Sequence, residues 1–144
     1  MRLAAAAALT VFCAITGAAE PRVVGTFPLS ASEFGLSAPQ TAVMDGARHE
    51  LWVAGYYSGN LVVIDAPTRR PLASIGGMQN LSALASDPGR GKIYALASNF
   101  LHVIDAAGRK KVATFALKNH SPSLLAVDRD GGAVFVYGYA YSWA

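Results

Sequence analysis

The sequence predicts an all-β fold built from a repeated antiparallel sheet, on three observations. The stretch NLVVIDAPTRRPLASI, Asn60–Ile75, returns as FLHVIDAAGRKKVATF, Phe100–Phe115. Acidic turn residues keep the same beat: Asp45, Asp87 and Asp128 stand 42 and 41 residues apart, and Asp65 and Asp105 stand 40 apart. The apolar runs between them are short and broken by Gly, Asp and Pro, with no sustained helical spacing. A period near forty with several strands in each unit marks a β-propeller blade. The chain therefore reads as a partial propeller of about two and a half four-stranded antiparallel blades, preceded by a helical signal peptide.

The leader comes first. Met1-Arg2 gives a positive start, and Leu3 to Ile15 is an apolar run interrupted only by Thr10. Gly17-Ala18-Ala19 then supplies small residues for a signal-peptidase cut before Glu20. That three-part pattern predicts a signal peptide over residues 1–19, with an apolar run too short to span a bilayer. A periplasmic or secreted location follows, with no membrane span after cleavage. Cys13, the only cysteine of the 144 residues, would leave with the leader, so the exported chain is expected to hold no disulfide and no thiolate metal site.

The exported part, residues 20–144, divides by the repeat. Arg22 to Phe27, RVVGTF, has the signature of a fourth strand with no blade before it. One blade runs over 41–75 and the next over 81–115, and a half blade covers 123–144. In each unit the innermost strand is short and apolar: Thr41–Met44, Ala83–Ala85 and Leu124–Val127. The second is richer in aromatic and β-branched residues: Leu51–Gly55, Ile93–Ala97 and Val134–Gly138. LVVID or LHVID forms the third, and PLASI or KVATF the fourth, after a basic turn.

The unit LWVAGYYSGNLVVIDAPTRRPLASI, repeated as IYALASNFLHVIDAAGRKKVATF and begun again as VFVYGYAYSWA, resembles the YVTN-type β-propeller repeat over nearly all of the chain from Arg22 onward. Proteins of that class resemble extracytoplasmic binding proteins, surface-layer proteins and the large subunits of quinoprotein amine dehydrogenases. The resemblance implies a rigid ring that presents loops. Closed rings of this kind usually carry about seven blades, and this chain has fewer than three. It is therefore expected to be a fragment of a longer propeller. An uncovered blade face of about 500 Å² would forfeit on the order of 12 kcal/mol at about 25 cal/mol per Å². Self-association through exposed blade faces is the corresponding expectation.

Charge excludes one class of partner. Basic residues come in pairs at most, Arg69-Arg70 and Lys110-Lys111, so no stripe for nucleic acid is visible. The histidines His49, His102 and His120 are scattered without metal-ligand spacing, so no metal and no cofactor is assigned. His102 stands where Val62 stands in the preceding repeat, and reads as a packed strand residue. Asp65 and Asp105 recur once per blade, which fits bonding at a strand end better than an acid pair. No catalytic residue is assigned, for want of any nucleophile–base pattern.

In a propeller the loops from fourth to first strand and from second to third gather at one end, the default place for a ligand. There the expected ligand-binding residues are Tyr56, Tyr57, Asn60, Asn80, Asn119, His120 and Tyr139. The function expected is an exported binding or interaction scaffold for an unknown protein or small-molecule ligand. The alternative is the propeller subunit of a quinoprotein amine-dehydrogenase-like oxidoreductase, with another subunit bringing the cofactor.

Overall fold

The computed structural model describes residues 8–13, 22–28, 34–118 and 120–140. Strands β3 (Pro39–Asp45), β4 (Glu50–Gly55), β5 (Asn60–Asp65) and β6 (Arg70–Ile75) form one four-stranded antiparallel sheet in sequence order. Strands β7 (Leu81–Asp87), β8 (Lys92–Ala97), β9 (Phe100–Asp105) and β10 (Lys110–Ala116) form a second of the same order. β11 (His120–Asp128) and β12 (Ala133–Ala140) form a two-stranded third. β7 lies beside both β3 and β11, so the first strands of the three sheets are neighbours, as in the hub of a propeller. The fold is all-β, a partial propeller.

The recurring aspartates build the turns. Asp45 Oδ1 accepts the backbone N–H of Ala47 at 3.1 Å, and Asp87 Oδ1 that of Arg90 at 3.2 Å. Asp128 Oδ1 takes those of Asp130 and Gly131 at 3.1 and 2.9 Å. In the later turn of each blade, Asp65 Oδ2 accepts from Thr68 N and Asp105 Oδ2 from Gly108 N, both at 2.8 Å. A carboxylate at a strand end satisfies turn N–H groups that the ladder leaves free, so one is needed in every copy.

Stacking of the first two blades makes the main core. Trp52, Ala54, Leu61 and Val63 of the first blade meet Ile93, Ala95, Ala97 and Ile104 of the second, with Met78 and Leu81 between them. The opposite face of the first blade, Val53, Val62 and Ile64, is closed by Leu36 and Phe34 of the preceding segment. Every residue from Asn60 to Ile64 is buried, because β5 is covered on both sides.

The third sheet has one uncovered face. Register places Phe135 opposite Ala126, as Tyr94 is opposite Ala85 and Trp52 opposite Val43. Trp52 is fully buried, whereas Phe135 and Tyr137 are each 62% exposed, beside exposed Leu124 and Tyr139. The face that the next blade covers in the first sheet is open in the third.

Two expectations are corrected. Ala8–Cys13, inside the expected leader helix, is strand β1, antiparallel to β2 (Arg22–Pro28). The segment RVVGTF carries an unpaired strand edge, and a β-branched and aromatic run such as LTVFC can satisfy it. The remaining leader residues, including the Ala19-Glu20 cut, lie outside the described residues. Second, Tyr139 lies within β12 and not in a loop, because β12 pairs with β11 as far as Ala140; a register shift between Pro122 and Leu124 absorbs an extra residue. Among the described residues no helix is long and apolar enough to cross a membrane.

Candidate functional site

The loops expected to converge do so through backbone hydrogen bonds. Tyr56 N donates to Ala38 O at 2.9 Å, Met78 N to Gly59 O at 2.9 Å, Ser98 N to Asn80 O at 3.4 Å and Leu117 N to Asn99 O at 2.8 Å. Each of the two full blades is entered through the same short plug. Leu36 and Met78 both lie nine residues before the first-turn aspartate, and both are buried. The residue before each is a glycine in the left-handed region, Gly35 at φ 65° and Gly77 at φ 77°. That conformation is open to glycine at little cost and turns the plug side chain inward.

The plugs differ one step earlier. Phe34 packs over the first blade, while its counterpart on the second is Gly76, around which a Cβ would meet no atom within 4 Å. The hairpin beneath is also shorter, Ser98-Asn99 in place of Tyr56–Gly59. Beside this turn lies a half-open cavity of about 270 Å³ lined by Gly77, Met78, Gln79, Ala97, Ser98, Phe100, His102, Lys111 and Thr114.

Two side chains give this cavity its chemistry. His102 is 5% exposed; its Nδ1 lies 2.9 Å from Thr114 Oγ1, and its ring stacks on Phe100 with centroids 6.1 Å apart. Burial pushes its imidazole below the usual histidine range, and the neighbouring Lys111 charge adds to the effect. Lys111 donates from Nζ to Gly77 O at 3.3 Å. Among the described residues the ion pairs are Arg48–Asp45, Arg90–Asp87, Lys92–Asp105 and Arg109–Glu50; Lys111 has no carboxylate partner there.

The seven residues named from sequence fall in different places. Asn80 is at the cavity rim, its Nδ2 donating at 3.2 Å to Ser98 Oγ, which in turn donates to Gln79 O. Asn60 is turned inward and used by the fold: its Nδ2 donates to Phe34 O at 2.5 Å and to Ser74 Oγ at 3.0 Å. Tyr56 and Tyr57 make an edge-to-face pair on the neighbouring turn, with Tyr57 largely exposed, and neither lines the cavity. Tyr139 belongs to the open face of the third sheet. Asn119 and the side chain of His120 lie outside the described residues. The sequence reads His102 as a packed strand residue and Lys111 as one of a basic pair in a turn, and it does not single out Gly76, though each breaks the repeat, standing where Val62, Pro71 and Phe34 stand one blade earlier.

No protein-family model and no curated protein sequence matches the chain. Among solved structures it is similar to a chain of hydrazine synthase from Kuenenia stuttgartiensis, a protein that contains a β-propeller, with a TM-score of 0.63 and 19% sequence identity. The match covers 70% of this chain and 29% of that one. At this identity the likeness concerns the fold alone.

Proposed function

We propose that the chain is an exported propeller-type scaffold that works by binding, and that the cavity between the Gly76–Asn80 loop and the second blade is where a small molecule enters. The observation that carries this reading is the contrast between two equivalent places. Over the first blade Phe34 packs on Val53, Val62 and Ile64 and Asn60 bonds to its carbonyl; over the second, Gly76 stands in the place of Phe34, and a cavity nearby is bordered by His102 and by Lys111, which has no carboxylate partner among the described residues. Pre-formed concave sites with a few polar groups in an apolar lining are the usual form of a small-ligand site. Six carboxylates among the described residues serve other ends, since Asp45, Asp65, Asp87, Asp105 and Asp128 hold turns and Glu50 holds a neighbouring blade. Binding, not turnover, is the reading these assignments favour.

Ligand-observed NMR with a set of neutral and charged single-ring fragments tests it. Saturable binding to the native chain that is lost in Gly76→Phe, a ring the equivalent position of the first blade already carries, is the expected result. No binding by the native chain, or equal binding by both, overturns the reading. Export is tested by fusing residues 1–25 to a reporter enzyme active only outside the cytoplasm; an inactive fusion overturns that part.

A second reading, a propeller subunit of an amine-dehydrogenase-like oxidoreductase, draws on the open face of Leu124, Phe135, Tyr137 and Tyr139 as a docking surface for a cofactor-bearing partner. Amine oxidation on co-expression with the products of adjoining genes would support it, and inactivity would count against it.

A further inference from the structure

Resting on the reading of this cavity as a ligand site, we infer that its ligand is a small carboxylic acid with an apolar body, bound as the anion. Two of the side chains that line the space, Lys111 and His102, can donate to a ligand. Lys111 brings an ammonium without a carboxylate partner among the described residues. The Thr114 hydroxyl can donate to His102 Nδ1, across 2.9 Å, which leaves Nε2 as an N–H donor on a neutral ring. Among the described residues no aspartate or glutamate lines the cavity to compete for these groups. An anion therefore gains a charge-assisted hydrogen bond from Lys111, whereas a cation would meet Lys111 and no counter-charge among the described residues.

The remaining lining fixes the rest of the molecule. Met78, Ala97 and Phe100 offer apolar surface, with the Phe100 ring stacked on the imidazole as one wall. The volume, about 270 Å³, lies just below the ~300 Å³ at which sites for drug-sized molecules begin. A single ring or a short branched chain bearing one carboxylate fits that description; a bare oxyanion would leave the apolar wall wet.

Isothermal titration of the full chain with benzoate, benzamide and inorganic phosphate distinguishes the outcomes. Benzoate is expected to bind at least tenfold more tightly than benzamide or phosphate, and to lose at least tenfold in Lys111→Gln and all measurable binding in Gly76→Phe. The melting temperature of each variant, compared with the native chain, shows whether its fold is kept. His102→Val, which copies the first blade, provides a second probe that does not touch the lysine, and it too should weaken benzoate. Benzamide binding as tightly as benzoate, or Lys111→Gln binding benzoate unchanged, overturns the anion assignment while leaving the ligand site standing. Phosphate binding as tightly as benzoate overturns the apolar-acid assignment. Binding of benzoate that survives Gly76→Phe places it elsewhere and overturns the inference. A native chain that binds neither benzoate nor any of the fragments overturns the underlying reading as well.

Discussion

Arg109, in the last turn of the second blade, reaches back to Glu50 at the start of β4 in the first, with Nη2 2.5 Å and Nε 3.2 Å from the same carboxylate oxygen. Glu50 is buried, and its other oxygen has no protein partner among the described residues. Removing the guanidinium would strand a charge out of water. Arg109 is itself a third exposed, so Arg109→Ala should cost about 2–3 kcal/mol, toward the lower end of what broken buried pairs cost. Glu50→Gln in the same background should return part of the loss. Urea titrations of the two variants check this, and an unchanged midpoint for Arg109→Ala would count against the clasp.

His49 holds a left-handed conformation, φ 55°, at the position occupied by Gly91 and Gly132 in the later blades. Non-glycine residues pay for that region, while glycine has more freedom to lose on folding. His49→Gly should therefore stabilise the chain by about 1 kcal/mol, seen as a higher urea midpoint. In the opposite sense Gly132→Ala should destabilise it, since a Cβ there would sit 2.5 Å from Nη2 of Arg90.

The buried imidazole gives a pH signature with a definite sign. His102 takes up a proton less readily in the folded chain than its usual value of 6.5 implies. Below pH 6.5 the unfolded chain binds a proton there that the folded chain refuses, so stability is full above 6.5 and falls as the solution is acidified toward the depressed folded value. His102→Val should flatten the melting-temperature profile over that range relative to the native chain. Parallel profiles for the two proteins would show that the ring is solvated.

Phe135 and Tyr137 occupy the places that Trp52 and Ala54 fill in the first blade, yet both are mostly in water. Contiguous apolar surface of this kind drives association. The native chain should sediment as oligomers at micromolar concentration, and Phe135→Lys with Tyr137→Lys should shift it toward the monomer. Native chain that stays monomeric while melting cooperatively would refute the expectation.

Much of this architecture was legible because the aspartates are needed once per turn and cannot drift: Asp45, Asp87 and Asp128 set the first strands, and Asp65 and Asp105 the third. Local chemistry decides such positions, so one sequence suffices to read them. The cavity was not legible in the same way, because it arises where a loop, a hairpin and an outer strand from different parts of the chain meet. Gly76 reads as an ordinary loop glycine until Phe34 is seen to fill the equivalent space. His102 reads as a strand residue, and it is one; that its ring also borders a cavity is seen only once the Gly77–Gln79 loop and Lys111 are placed beside it. Asn60 misled for the converse reason, since a polar side chain beside a turn can serve the fold as readily as a ligand, and here Phe34 O and Ser74 claim it. Ala8–Cys13 carries a composition that suits export and strand alike.

The plug that precedes each full blade has an evolutionary consequence. Because a unit arrives with its own inward-turned Leu36 or Met78, duplicating it adds a pre-sealed wedge that needs no redesign of its neighbour. Lengthening such a chain thus leaves the packing of the blades already present undisturbed.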